Sequence, residues 1–407
     1  MSMNQADVLI LGGGLVGATL ALALAAHGLT AIVVDPADPA VTLAPGFDGR
    51  ASAIASASGR LLEAIGVAPK LEGLGCPIES IRVSDGLAPG ALDFAPEPGD
   101  GVLGTMYENR ALRIALHAAV EASKRIDLRM QTRAVSVVRD AGGVHAELSD
   151  GRHVRAQLLI AAEGRQSPTR DAAGIRLARW SYDHNAIITA FSHARPHENV
   201  AYEIFYPAGP FAILPLVPRD GVNRSALVWT VTSADAPAML KLGERAFLAE
   251  AEKKMGGFLG PLSDLAPRST YKLGFHHAAR ITADRLALVG DAAHGIHPIA
   301  GQGLNLGLRD AATLAEVLVE GKRLGLDLGD ASLLQRYERW RGIDTLMVAG
   351  ATDTLARLFG IPGSGASFVR RLGLRAVQAL PPLKARFMAE ARGESGDLPK
   401  LLQGAMV

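Results

Sequence analysis

The chain has 407 residues, 48% of them hydrophobic, with 42 basic against 41 acidic side chains and a single cysteine. That length suggests two or three domains with ample apolar content for a core, and the near-zero net charge gives no global argument for nucleic acid as a partner. Cys76 alone excludes an intrachain disulfide and lacks the partners of a metal cluster, so it is read as a small buried or half-buried side chain and no metal site is expected.

The first element is an apolar strand, Val8-Leu9-Ile10-Leu11, running into Gly12-Gly13-Gly14-Leu15-Val16-Gly17. A helix from Leu15 to about Ala26, a second strand from Thr30 to Val34 and the acid Asp35 complete the order of a dinucleotide fingerprint. Gly12 suits the tight turn, Gly14 lets the backbone approach a pyrophosphate, and Gly17 lets the helix pack closely on the sheet. Phosphate is expected at the helix N-terminus, where unpaired N–H groups and the dipole favour an anion, and Asp35 stands where an acid receives a ribose diol. Val8 to Val34 carries no Asp, Glu, Lys or Arg, yet no Lys or Arg precedes Arg50, so the basic flank of a signal peptide is missing. The glycines and Asp35 fit a βαβ unit better than a membrane span, so no targeting or transmembrane segment is expected.

A Pro- and Gly-rich stretch, Gly75 to Gly101, is expected to join a second domain. Further on, Gln157 to Ala162 reads as a buried strand entering Glu163-Gly164-Arg165-Gln166-Ser167. That segment is either a polar turn or a source of hydrogen-bonding groups at a cofactor crevice. Between about Trp180 and Phe275 short strands succeed one another, among them Ala186–Phe191, Ala201–Phe205, Phe211–Leu216 and Ser225–Val231. They are expected to form an antiparallel lid, in which Phe211, Leu214 and Trp229 either line a substrate cavity or simply pack.

Near the end, Leu286-Ala287-Leu288-Val289 leads into Gly290-Asp291, Pro298 and Gly301-Gln302-Gly303-Leu304-Asn305, which opens a helix through Leu318. Asp291 is placed to accept hydrogen bonds from flavin ribityl hydroxyls. The helix N-terminus, aimed at the flavin's pyrimidine edge, would stabilise negative charge there by about 1 kcal/mol. His294 and His297 are read either as acid–base groups or as hydrogen-bonding residues of the turn.

Gly12 to Gly17, Glu163-Gly164 and Gly290-Asp291 resemble, in order and spacing, the three signatures of single-component FAD-dependent aromatic hydroxylases, the group that includes p-hydroxybenzoate hydroxylase. The run Gly290-Asp291-Ala292-Ala293-His294 through Gly301-Gln302-Gly303-Leu304-Asn305-Leu306-Gly307-Leu308-Arg309-Asp310 narrows the resemblance to the ubiquinone-biosynthesis hydroxylase family. Arg50-Ala51-Ser52-Ala53, Glu108-Asn109-Arg110, Gly209 to Leu216 and Val228-Trp229 are similar as well. One departure is visible: Glu163 stands where the family has Asp.

The resemblance implies an α/β fold with a Rossmann-like domain built from 1–74, 102–179 and 275–345, a substrate domain from 75–101 and 180–274, and a C-terminal helical segment, 346–407. It implies that Asp35 binds the adenosine ribose, that Arg50 and Arg110 lie beside FAD, that Glu163-Gly164 contacts cofactor, and that Asp291 holds the ribityl chain. Pro298, Gly301, Gln302, Gly303, Leu304 and Asn305 are implied to surround the flavin ring. The implied reaction needs no amino-acid nucleophile: NADH or NADPH, a transient co-substrate, reduces FAD, oxygen adds at the C4a position, and the hydroperoxide hydroxylates a polyprenylated phenol. Two alternatives stand beside it. A hydroxylase of a soluble aromatic acid would need a buried cation, for which Arg219 and Arg224 are candidates, and a non-catalytic FAD-binding subunit of a biosynthetic complex would show no turnover.

From Leu355 to Ala389 six basic residues (Arg357, Arg370, Arg371, Arg375, Lys384 and Arg386) and no acid are interleaved with apolar side chains. The segment is either a helix resting on anionic lipid or a helical hairpin packed on the core. The expected setting is therefore cytoplasmic, with the inner-membrane surface and other ubiquinone-biosynthesis proteins as candidate partners.

Overall fold

The computed structural model describes residues 3–45, 49–89, 91–97, 99–295, 302–342 and 377–407. His297, Pro298 and Gly301, and the basic segment as far as residue 376, lie outside them.

A six-stranded sheet carries the glycine turns. Its order is Thr282–Ala283, Leu286–Leu288, Leu158–Ala161, Val8–Leu11, Ala31–Val34 and Ile126–Arg129, parallel except for the first pair. The four central strands are buried along their whole length, which is why they read as unbroken apolar runs. The Leu15–Ala26 helix is apolar on nearly every side because it is covered on nearly every side, by the sheet and by the Gln302–Arg323 helix.

A larger sheet runs His294–Gly295, Ser269–Ala278, Leu177–His193, Val222–Thr232, Gly209–Arg219, Val200–Tyr206, Ser80–Asp85 and Leu92–Phe94, with Leu262–Ser263 paired to Leu177–His193. It is antiparallel except where Val200–Tyr206 pairs in parallel with Ser80–Asp85, so the expected lid is a mixed sheet. Among the described residues of the Gly75–Gly101 stretch, Ser80–Asp85 and Leu92–Phe94 join it. Gly75–Ile78 instead pairs with Gly104–Glu108, which pairs with Ala51–Ala55, and Cys76 and Ile78 are buried with Leu103 and Met106.

Side-chain alternation gives the large sheet two different faces. Ile187, Ile204, Phe211, Ile213, Leu227 and Trp229 pack against Phe247, Leu248 and Ala251 of the Glu244–Met255 helix. The opposite face, with Ala190, Leu214, Leu216 and Ala226, meets Ala51. Arg224 on that face joins Glu108 at 2.9 Å, tying the sheet to the Ala51–Ala55 unit.

Candidate functional site

The first glycine turn is held by contacts that exclude side chains. Gly12 has φ +103°, and a Cβ on it would lie 2.4 Å from the Ala162 carbonyl oxygen; a Cβ on Gly17 would lie 1.9 Å from the Gly12 carbonyl oxygen. Gly14, the N-cap, has nothing within 4 Å of where its Cβ would be, which leaves the N–H groups of Leu15, Val16 and Gly17 open to an anion. Gly17→Ala must therefore push the helix off the turn. We expect a loss of FAD affinity of at least about tenfold, read by flavin fluorescence titration.

Asp35 closes the turn from the next strand. Its Oδ2 accepts from the Gly13 N–H at 2.6 Å and its Oδ1 from the Ala37 N–H at 2.7 Å. The carboxylate is thus fixed at the carboxyl edge of the sheet, where a nucleotide ribose is received.

The second turn lies two strands away on the same edge. Val289 donates to the Ala161 carbonyl, and Gly290 follows with φ +59°, its Cα against Val16 and Gly307. A buried cluster holds this turn, joining His294 to Asp310 and Arg341. Asp310 Oδ2 accepts from the Gly290 N–H at 2.9 Å and from His294 Nε2 at 2.7 Å, while Oδ1 accepts from Arg341 Nε at 2.6 Å. Burial alone would raise the Asp310 carboxyl, but His294 and Arg341 hold it below the usual carboxylate range. His294 is thereby a structural member of the turn.

Asp291 is exposed, and its carbonyl accepts from His276 Nε2 at 2.8 Å. Tyr271 stands where Arg50, Arg165 and Asp291 converge; burial raises its hydroxyl pKa, the two arginines oppose the shift, and Asp291 adds to it. Arg50 and Asp291 thus both act electrostatically on one side chain, Tyr271.

Other residues have structural duties. Glu163 accepts from Ser167 Oγ at 2.5 Å, from Thr169 Oγ1 at 3.0 Å and from the Thr169 N–H at 3.3 Å, so it caps the Pro168–Ala172 helix. Gly164 has φ +80°, and Arg170 beyond it donates to the Ala292 carbonyl, linking this motif to the Gly290-Asp291 turn. The added methylene of Glu163 is accommodated inside its own turn. Asn305 Nδ2 donates to the Ala53 carbonyl at 2.9 Å and its Oδ1 accepts from the Ala55 N–H at 3.0 Å, clamping the start of the Gln302–Arg323 helix to the strand after Arg50. Leu304 packs partly buried against the main core, and Gly303 has open space beside it. Arg110 Nε donates to the Leu43 and Ala44 carbonyls, holding the loop that approaches Arg50.

The large sheet separates the three residues read either as cavity-lining or as packing. Phe211 and Trp229 do not line a cavity on the cofactor side: they meet edge to face at 5.1 Å, Trp229 meets Phe247 at 5.5 Å, and both belong to the core beneath the Glu244–Met255 helix. Leu214 is on the other face and, like Ala51 and Ala53, packs on the cluster around Cys76, Ile78 and Met106. Phe211→Ala should lower stability by about 3–5 kcal/mol in urea denaturation while leaving FAD affinity within twofold. Arg219 and Arg224 both meet Glu108, at 3.5 and 2.9 Å, so the cations a substrate carboxylate would need already have an acid partner.

These residues fit FAD. The open N-terminus at Gly14, the Asp35 carboxylate and the exposed Asp291 carboxylate beside Gly290 lie along one sheet edge, matching diphosphate, ribose and ribityl groups in order. Comparison with known proteins agrees. The FAD binding domain family matches residues 5–343. The chain is 47% identical over 402 residues to ubiquinone hydroxylase UbiL of Rhodospirillum rubrum, covering 98% of this chain and 93% of that protein. It is 33% identical over 395 residues to 3-demethoxyubiquinol 3-hydroxylase of Escherichia coli, covering 97% and 100%. The crystal structure of p-nitrophenol 4-monooxygenase PnpA from Pseudomonas putida superposes with a TM-score of 0.79 at 18% identity, covering 97% of this chain and 100% of that one, and so shares the fold. By sequence along its whole length and by the geometry of its glycine turns, the chain belongs to the FAD-dependent hydroxylases of ubiquinone biosynthesis.

Proposed function

We propose that this FAD-dependent monooxygenase hydroxylates the aromatic ring of a polyprenylated phenol intermediate of ubiquinone, with NADH or NADPH as reductant. The observation that carries the reading is the pair of turns at Gly12 and Gly290 on one sheet edge, in a chain 47% identical to a ubiquinone hydroxylase. Bound FAD supplies the redox and oxygen chemistry. The chain's own residues bind and orient it: Gly14 to Gly17 receive the diphosphate, Asp35 the adenosine ribose and Asp291 the ribityl chain, with Arg50 beside that turn. Pro298 and Gly301 to Asn305 are assigned to the flavin ring's surroundings. The apolar face bearing Leu214, Ala226 and Ala190 excludes water from the ring to be oxidised.

The lipophilic substrate points to a lipid surface as its source. The Pro381–Ala391 helix and the residue before it expose Leu380, Leu383 and Phe387 beside Lys384 and Arg386, which suits a helix resting on anionic lipid. No helix among the described residues is long and apolar enough to cross a membrane. Lys384→Glu with Arg386→Glu should reduce sedimentation with phosphatidylglycerol vesicles about tenfold, and unchanged partitioning would assign the helix to packing alone.

The activity itself is tested by following NADH and NADPH oxidation in air while a short-chain prenylphenol or a hydroxybenzoate is added. Stimulation by the prenylphenol is the expected outcome. Stimulation only by the hydroxybenzoate would shift the assignment to a soluble aromatic acid, and no response to either would leave a non-catalytic FAD-binding subunit.

A further inference from the structure

Residues 392–407 run as a strap over the helices of the FAD-binding core. Arg60 of the Ser56–Ala64 helix donates to the Leu402 carbonyl at 2.8 Å and to the Glu394 carboxylate at 2.9 Å. On the Gln302–Arg323 helix, Arg309 donates to the Ser395 and Asp397 carbonyls at 2.6 and 3.3 Å, and Glu316 accepts from the Lys400 N–H at 2.7 Å. Arg323 at the end of that helix donates to the Val407 carbonyl at 2.7 Å. Leu401 and Leu402 are buried in the main core, which anchors the strap.

Three segments close on one another where the strap begins. Asn305 and Arg309 lie four residues apart, on one face of their helix; Asn305 clamps Ala53 and Ala55, and Arg309 grips the strap. The Arg392 carbonyl accepts from the Ala57 N–H at 3.0 Å, and a Cβ on Gly393 would lie 3.4 Å from the Ala55 Cβ. The strap therefore braces both the helix start assigned to the flavin ring and the strand that follows Arg50.

The strap continues directly from the Pro381–Ala391 helix, and the joint is stiff. The N–H groups of Gly393 and Glu394 donate to the Glu390 and Ala389 carbonyls at 3.0 and 2.8 Å, and Ser395 Oγ donates to the Glu390 carboxylate. The helix itself is lightly held: none of its residues is buried, and Phe387 meets Phe94, at the edge of the large sheet, at 6.2 Å. A lightly held element with exposed apolar side chains is one that a surface can order, and an ordered helix constrains the strap joined to it.

We propose that anionic lipid engaging the Pro381–Ala391 helix tightens FAD binding through this strap, with Arg309 as the positioning residue that transmits the effect. The inference rests on the lipid reading above and goes beyond it by joining the two sites. Ordering the helix on lipid supplies part of the order that the contacts among 53–57, 305–309 and 392–397 require. FAD, bound beside the same helix start, requires that order too, so the coupling is positive. Linkage makes it reciprocal: FAD strengthens vesicle binding by the factor by which vesicles strengthen FAD binding.

The test titrates the full-length FAD-free protein with FAD, read by flavin fluorescence, with and without phosphatidylglycerol vesicles, and sediments the FAD-free and FAD-loaded forms with the same vesicles. Wild type should bind FAD about fivefold more tightly on the vesicles, and the FAD-loaded form should bind vesicles about fivefold more tightly than the FAD-free form. Arg309→Met should keep the vesicle affinity of the FAD-free form while both factors fall to about one. Arg309→Lys, which still donates to the strap carbonyls, should restore part of each factor. Glu394→Ala, which loosens the strap at its partly exposed contact with Arg60, should lower both factors without touching the core. A strap that only supports the fold would leave the factors unchanged in Arg309→Met and Glu394→Ala while weakening FAD binding equally with and without vesicles, and that result overturns the proposal. A wild type that binds vesicles but whose FAD affinity is the same in both conditions overturns it as well. A wild type that binds the vesicles in neither form overturns the lipid reading and this one with it.

Discussion

Asp310→Asn is expected to cost about 3–5 kcal/mol of stability, because it removes the buried carboxylate charge that meets both His294 and Arg341 and turns an amide N–H toward the donors of Gly290, His294 or Arg341. Urea unfolding of the FAD-free protein measures this directly, and a loss below about 1 kcal/mol would show that the cluster is incidental. The pH dependence has a definite sign. The Asp310 carboxyl lies below its ordinary value in the folded protein, so its contribution is present above the unfolded carboxylate pKa and is lost as pH falls through the lowered one. The variant should therefore show a shallower loss of stability on the acid side than wild type. FAD affinity should fall too, because Asp310 holds the N–H of Gly290 and so aims Asp291.

Asp291→Ala is expected to weaken FAD binding about a hundredfold with little effect on folding. The side chain is exposed, and among the described residues no hydrogen bond to its carboxylate is seen, so removing it breaks no internal contact. What is lost is a charged acceptor for ribityl hydroxyls, each such bond being worth about 1.5–3 kcal/mol. Full flavin occupancy in purified Asp291→Ala, at protein concentrations near the wild-type dissociation constant, would remove Asp291 from the cofactor site. The two substitutions separate positioning from contact: Asp310→Asn acts on stability and affinity together, Asp291→Ala on affinity alone.

Much of this site is legible in the sequence, and the limits of that reading have physical causes. Strand, glycine turn, helix and acid are local features, so Gly12 to Asp35 and the strand before Gly290 can be read from neighbouring residues. Asn305 and Glu163 were legible as members of motifs but not in their duties, since Asn305 grips Ala53 and Ala55 across the chain and Glu163 turns inward to Ser167 and Thr169. Phe211 and Leu214 look alike in the sequence as apolar candidates for a cavity or for packing, but strand alternation puts them on opposite faces.

The central claim, ring hydroxylation by this chain with FAD, is tested most directly by turnover of a short-chain prenylphenol with NADH or NADPH under isotopically heavy dioxygen. The product is predicted to carry one heavy oxygen atom on the ring, formed in step with reductant consumed. Reductant oxidation that yields only hydrogen peroxide, or a product whose new oxygen is light and comes from water, would contradict it.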